Sequence, residues 1–354
     1  MAPRVLITGH SGYVGSVMAP MLVEAGYDVV GLDTGYYDGC TLVSDRLNIS
    51  TVSKDLRDLT AEDLEGFEAV IHLAALSNDP IGNLNAAWTE EINYHASVRL
   101  AKLAKAGGVR RFLFSSSCIM YGMSDAARVN EESPLDPKTA YARSKVDAER
   151  AITSLAAEGF SPTFLRNGTI YGVSPRMRFD TVLNNLMGAA LTTGKVVLQS
   201  DGKPWRPVAH IEDICRAFLH ILQAPLALVH NQAFNNGEDR MNYQMIELAR
   251  IVVEAVPGTS LECLASPDAD QRTYQTDFGK FASTFPSFRF TWTVQEGVRQ
   301  LRDALRTAGL TAQTFTDRRF TRLKWLRHLL DAGWLDRSLR WARRPSASPM
   351  TVAP

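Results

Sequence analysis

Between Thr8 and Gly15 the chain reads Thr-Gly-His-Ser-Gly-Tyr-Val-Gly, with glycines at 9, 12 and 15. The stretch follows a short apolar run, Arg4 to Ile7, that reads as a buried strand, and it precedes a helical run from Ser16 to Ala25. A strand that turns through closely spaced glycines into a helix brings backbone against a ligand that side chains would otherwise hold off. A pyrophosphate fits that place, because its charge meets the unpaired N–H groups at the helix N-terminus. The stretch therefore proposes a bound dinucleotide, with Gly9, Gly12, Tyr13, Val14 and Gly15 as its contacts. Ordinary turn glycines are the alternative, and the rest of the chain decides between them.

Asp28 to Asp33 reads as a second buried strand closed by an acid, and Asp33 comes eighteen residues after Gly15. A carboxylate there accepts from both hydroxyls of the adenosine ribose and repels a 2′-phosphate, so NAD is favoured over NADP. The bland alternative makes Asp33 a turn residue before Thr34-Gly35. Leu47-Asn48-Ile49 and Glu68 to Leu73 are expected as the next strands, with helical pattern at Ala61 to Glu65 and Asp55-Leu56-Arg57-Asp58 on a loop. Apolar residues recur at helical spacing from Ala86 to Ala106, and Gly107-Gly108 is a stop. Arg111 to Phe114 is a strand that runs into Ser115-Ser116-Ser117, Thr139 to Ala157 is helical, and Ser161 to Arg166 is a sixth strand.

This alternation predicts an α/β fold, a Rossmann-type doubly wound parallel sheet spanning residues 1–173. A smaller C-terminal α/β substrate domain is expected over 174–315, with segments near 207–236 returning to the first. Within it Thr181 to Thr193, Ile211 to Leu222 and Tyr243 to Val256 read as helices, Val196 to Leu198 and Ala233 to Asn235 as strands, and Gly202 to Pro207 as a loop.

Thirty-eight lysines and arginines balance thirty-eight acids, so no whole-molecule field calls for nucleic acid as partner. Cys40, Cys118, Cys215 and Cys263 are scattered without metal-ligand or disulfide spacing, and no metal site is expected. The expected setting is cytoplasmic, without a signal peptide. The basic segment 316–354 is different. It carries nine lysines and arginines between Thr316 and Pro345, with Phe320, Leu323, Leu326 and Leu330 near one helical face. Docking of that face on its own domain or a sister subunit is the expectation; contact with an anionic membrane surface is the alternative. The residues after Arg344 are expected to form a disordered tail.

Tyr141 and Lys145 stand one helical turn apart and so share a face. An ammonium beside a phenol, with a positive nicotinamide ring near, favours the phenolate and makes the tyrosine a general base with its pKa drawn toward neutrality. The spacing alone is common. It gains meaning from Ser117, at a serine-rich strand end twenty-four residues earlier, and from the glycine-rich opening.

With these motifs in order, the chain resembles the extended short-chain dehydrogenase/reductases, in particular the nucleotide-sugar epimerases and dehydratases, over residues 4 to 290. The resemblance implies NAD as cofactor, a nucleotide-diphosphate sugar as substrate and a homodimer formed through helices such as 86–106 and 139–157. It adds Asp55 and Leu56 at the adenine, Leu73, Ala74 and Ala75 at the strand end beneath the nicotinamide side, and Asn93 and Ser115 to the cofactor site. It makes Ser117, Tyr141 and Lys145 the catalytic set, in which tyrosine takes a proton from a sugar hydroxyl as hydride passes to NAD.

In a 4,6-dehydratase of this family an Asp-Glu pair follows the hydroxyl residue and eliminates water. Here those positions hold Cys118 and Ile119. Isoleucine cannot transfer a proton; Cys118 reads either as a buried small residue or as an acid or base toward a keto sugar. Arg206 resembles the family's pyrophosphate-gripping arginine, Arg272 is a second candidate, and Asn167 and Thr169 are the sugar-side candidates. His210 is expected to support packing. The expected activity is epimerisation through transient oxidation at C4, with a dehydratase, reductase or isomerase of the same family as the alternative. A non-catalytic NAD-binding scaffold is the reading from another class.

Overall fold

The computed structural model describes residues 2–43, 49–123, 128–264 and 272–344. Its first half supplies strands β1 (Arg4–Thr8), β2 (Asp28–Asp33), β3 (Ser50–Ser53), β4 (Ala69–His72), β5 (Arg111–Ser117) and β6 (Ser161–Asn167). The second half adds β7 (Thr169–Tyr171), β8 (Lys195–Leu198), β9 (Trp205–His210), β10 (Gln232–Asn236), β11 (Asn242–Gln244) and β12 (Ser260–Cys263).

A seven-stranded sheet runs in the order β10-β6-β5-β4-β1-β2-β3, with every neighbouring pair parallel. Its strands read as apolar runs because both faces are covered. Val5 and Ile7 point into a core shared with Met18, Leu22, Ile214 and Phe218, while Leu6 points the other way toward Val70, Leu100, Phe112 and Ile152. That is the period-two alternation of a strand buried on both sides. The strand order reverses between β1 and β4, and a crevice opens at the carboxyl ends there, the place where such sheets bind ligands. Two small sheets, β11-β9-β7 and β12-β8, lie beyond it.

Several elements differ from the sequence expectation. The third strand is Ser50–Ser53, exposed along its whole length, rather than a run beginning at Leu47; its pairing with Val30 to Asp33 makes it an edge that apolar pattern does not mark. Leu47 and Asn48 lie outside the described residues. The loop expected from Gly202 to Pro207 becomes strand at Trp205, where Pro207 pairs with Asn242. The helix expected from Tyr243 begins at Met245, because Asn242–Gln244 is β11. Ala61 to Glu65 holds only a short 3-10 turn, and the helix from Ala86 passes through a wider π turn at Glu90–His95 before Ala96–Ala106. The helix at 140 ends at Thr153.

The C-terminal helix, Arg322–Asp331, buries Trp325, Leu326 and Leu329 against Tyr36, Cys40, Leu76 and Ile81 of its own chain. Trp325 Nε1 donates to the Tyr36 carbonyl at 2.6 Å, and Trp341 Nε1 to the Thr34 carbonyl at 2.7 Å. The apolar face is thus spent within the chain, and among the described residues no helix is long and apolar enough to cross a membrane. The expected disordered tail, residues 345–354, lies outside the described residues.

Candidate active site

A cavity of about 500 Å³ occupies the crevice between β1 and β4. Gly9, Gly12, Tyr13, Val14 and Gly15 form its floor. Gly9 has a φ of +77°, and a Cβ there would stand 2.7 Å from the Ala74 nitrogen, so only glycine lets β1 and β4 close at this point. Gly15 sits where a side chain would collide with the Gly9 carbonyl and His10. The N–H groups of Tyr13 and Val14, before the helix Gly15–Glu24, find no acceptor among the described residues. Two orphan donors over a floor without side chains fit the diphosphate of a dinucleotide.

The floor is held from below. Thr8 Oγ1 bonds His72 Nδ1 at 2.6 Å, and His72 Nε2 bonds Ser97 Oγ at 2.7 Å. Burial pushes His72 down to about 3, so the ring is a neutral structural link. Asp33, at the end of β2, accepts from the backbone N–H of Ser11 at 3.2 Å and of Gly35 at 2.9 Å, which fixes its carboxylate at the cavity edge. Leu73, Ala74 and Ala75 line the wall beyond β4. Asp55 and Leu56 line the far end, where Arg57 already holds the Asp55 carboxylate at 2.7 and 2.9 Å.

Asn93, expected at the cofactor, does not line the cavity. It is buried, and its amide is spent on the Leu76 backbone: Oδ1 accepts from the N–H at 2.8 Å and Nδ2 donates to the carbonyl at 3.0 Å. It positions the loop after β4 instead of lining the cavity.

Ser115 and Ser117 end β5, and Tyr141 and Lys145 face them from the helix Ala140–Thr153, all at the cavity wall. Thr139 caps that helix, accepting from Ala142 N–H at 3.1 Å, which sets where Tyr141 falls. Lys145 Nζ donates to the Ser115 carbonyl at 2.7 Å and lies 5.8 Å from the Tyr141 ring centroid. Burial pushes Lys145 down to about 8. It pushes Tyr141 up to about 12, and the Asp79 carboxylate adds to that while Arg178 opposes it. The expected drift of Tyr141 toward neutrality depends on a positive nicotinamide ring beside it; in the protein alone desolvation outweighs the Arg178 charge.

Cys118 does not reach the cavity. It is 1% exposed, packs with Tyr121, Val129 and Tyr274, and donates from Sγ to the Arg166 carbonyl at 3.1 Å. Burial pushes its thiol up to about 12. A proton-transfer role for Cys118 is corrected to a packing role. Ile119, the next residue, does line the cavity.

Asn167, Thr169, Arg206 and Arg272 all reach the wall. The Asn167 amide is engaged, donating to Ser115 Oγ at 3.0 Å and the Ser116 carbonyl at 3.1 Å, so it braces the catalytic strand end. Arg206 donates to the Trp205 carbonyl at 2.8 Å and to the Arg272 carbonyl, which places the two arginines side by side. Arg272 Nη1 meets Asp79 Oδ2 at 2.8 Å. His210 stacks on Trp292 with ring centroids 4.0 Å apart and bonds Gln300 at 2.9 Å, a packing role as expected.

Sequence reasoning missed two residues of this wall. Arg178, buried, donates from Nε to Asp180 Oδ1 at 2.8 Å and from Nη1 to Ser77 Oγ at 3.0 Å. Arg322 arrives from the C-terminal helix. The basic cluster at Pro175 to Phe179 was a signal for the first; nothing local announced the second. Among the described residues there is no cluster of side chains that could hold a metal ion.

The sequence pattern of the NAD dependent epimerase/dehydratase family matches residues 5–237. The chain belongs to this family. Its cofactor is NAD. The UDP-glucose 4-epimerase of Corynebacterium glutamicum is 30% identical over 271 residues, covering 70% of this chain and 80% of that protein. The human dTDP-D-glucose 4,6-dehydratase is 25% identical over 274 residues, covering 74% of this chain and 76% of that one. Among solved structures, MoeE5 in complex with UDP-glucuronic acid and NAD superposes with a TM-score of 0.73 at 26% identity, over 86% of this chain and 99% of its own. The relatives include both epimerases and dehydratases of nucleotide sugars.

Proposed function

We propose that this protein is a 4-epimerase of a nucleotide-diphosphate sugar. The observation that carries the reading is the pair after Ser117. Cys118 is buried away from the cavity and Ile119 faces it. Neither can take a proton from C5 of a 4-keto sugar, so elimination of water lacks its acid and base at the positions where a dehydratase needs them.

Bound NAD supplies the hydride acceptor and donor. As the phenolate, which the positive charge of bound NAD and of Lys145 would favour, Tyr141 would take up the proton of the C4 hydroxyl on oxidation and give it back on reduction. Lys145, anchored on Ser115, holds positive charge beside the phenol and favours its ionised form at that moment. Ser117 donates to the same sugar oxygen. Arg206 and Arg272 grip the substrate diphosphate, where planar guanidinium groups pair with phosphate oxygens in parallel bonds. Asp33 holds the adenosine ribose, and the Tyr13 and Val14 N–H groups meet the cofactor diphosphate. An intact Ser117, Tyr141 and Lys145 set argues against a scaffold without chemistry.

The test is product identity across UDP-, GDP-, CDP- and dTDP-sugars, with absorbance at the NADH band followed in parallel. An isomer of unchanged mass without NADH release supports the reading. Stoichiometric NADH contradicts it, as does a product lighter by one water.

A further inference from the structure

The family match ends at residue 237, yet a residue far beyond it lines the cavity. Arg322, the first residue of the C-terminal helix, is 3% exposed and lies on the cavity wall. Its backbone N–H donates to Asp180 Oδ2 at 3.1 Å, its Nη2 to the Arg176 carbonyl at 3.1 Å, and its guanidinium covers the Tyr37 ring at 4.2 Å. Nη1 is buried with no hydrogen-bond partner among the described residues, and no carboxylate there forms an ion pair with the group. The nearest acid, Asp180, spends its other oxygen on Arg178 at 2.8 Å.

A buried guanidinium without a counter-ion costs far more than a paired one, and such charges persist where a ligand supplies the missing anion. Position decides which anion. Tyr37, whose ring Arg322 covers, follows β2, the strand that carries Asp33, and the same cavity is floored by the glycine-rich loop. Arg206 and Arg272 stand together at another part of the wall, beside Asp79.

We propose that Arg322 is a cofactor-binding residue, which neutralises the diphosphate of NAD from the C-terminal segment. The segment that carries it is fastened around the adenosine half. The Tyr36 hydroxyl donates to the Leu339 carbonyl, Arg57 donates to the Ser338 carbonyl at 2.7 Å, and Arg340 pairs with Asp58. Residues 317 to 344 are thus part of the dinucleotide site, and the proposal rests on the NAD dependence of the family.

The test needs no turnover. The full chain, freed of nucleotide, is titrated with NAD, adenosine and UDP, and binding isotherms and thermal midpoints are recorded. Arg322→Met is expected to raise the dissociation constant for NAD about tenfold to a hundredfold, the range for a charge-assisted contact. Adenosine and UDP are expected to bind as before, and Arg322→Lys to recover part of the loss. The nucleotide-free midpoint of Arg322→Met should stay at or above that of the unsubstituted chain, because an uncompensated buried charge has gone. Equal loss of adenosine and NAD would make Arg322 a wall residue only, and loss of UDP alone would assign its charge to the substrate; either overturns the proposal. Arg322→Gln carries the same comparison if the Met variant does not fold, and NAD affinity unchanged in it would also overturn the proposal.

Discussion

Lys145 Nζ donates to the Ser115 carbonyl at 2.7 Å and so ties the helix Ala140–Thr153 to the end of β5. The bond places the ammonium between the strand that bears Ser117 and the helix that bears Tyr141, 4.6 Å from the Phe114 ring and out of water. Catalytic set and scaffold share this contact, which makes the set sensitive to both removal and titration.

Tyr141→Phe removes the hydroxyl proposed to exchange the sugar proton. Turnover is expected to fall about 10²- to 10⁴-fold, the usual contribution of a positioned acid or base, while NAD affinity is kept. Steady-state kinetics and an NAD binding isotherm check both halves. Turnover unchanged by the substitution would remove Tyr141 from the mechanism.

Lys145 leaves a pH signature on stability. Its folded value is pushed down to about 8 by burial, against about 10.5 for an unburied lysine. The amine is neutral in both states above the unfolded value, and its burial then costs least. As pH falls through about 8 the folded state must bury a charge, and that part of the stability is lost. The midpoint of the nucleotide-free chain, compared with that of Lys145→Met, should therefore gain between pH 8 and 10.5. Thermal melts of both proteins across this window measure the difference; a constant gap would contradict the buried ammonium.

Gly9→Ala tests the close approach of β1 and β4. The positive φ alone costs a side chain about 1–2 kcal/mol, and the contact with Ala74 N at 2.7 Å forces backbone to move. Lower thermal midpoint and weakened NAD binding are expected together. An unaffected NAD isotherm would show that the loop tolerates a wider gap.

Much of this architecture was legible in the sequence. The spacing of Gly9, Gly12 and Gly15, the acid at Asp33 and the shared face of Tyr141 and Lys145 are local patterns, and the fold preserves local patterns. What escaped depends on tertiary neighbours. Ser50–Ser53 is a strand because β2 offers it an edge, since its own residues are polar and exposed. The resemblance puts Asn93 at the cofactor, whereas the π turn at Glu90–His95 and the loop after β4 put its amide on Leu76. The upward push on the Tyr141 phenol comes from burial, a property of the assembled site. Arg322 comes from a basic stretch whose role rests on Tyr37 and Asp180, both more than a hundred residues earlier.

Cys118→Ala is expected to leave turnover unchanged and to lower stability by about 1 kcal/mol or more, the cost of deleting a buried side-chain atom with its contacts. Activity assay and thermal melt separate the two effects. A large loss of turnover with an unchanged fold would return the thiol to the chemistry.

Asp33→Asn removes the charge proposed to repel a 2′-phosphate while keeping the side-chain shape. NAD binding should weaken and the preference for NAD over NADP should narrow, as read from paired isotherms. A preference that stays as wide would place the discrimination elsewhere.

The most direct measurement of the central claim uses a nucleotide-diphosphate hexose that raises the thermal midpoint of the chain and carries deuterium at C4. Transient oxidation at C4 with return of the same hydride predicts a C4 epimer of unchanged mass that keeps its deuterium. A product that has lost water, or release of deuterated NADH in place of an epimer, would contradict it.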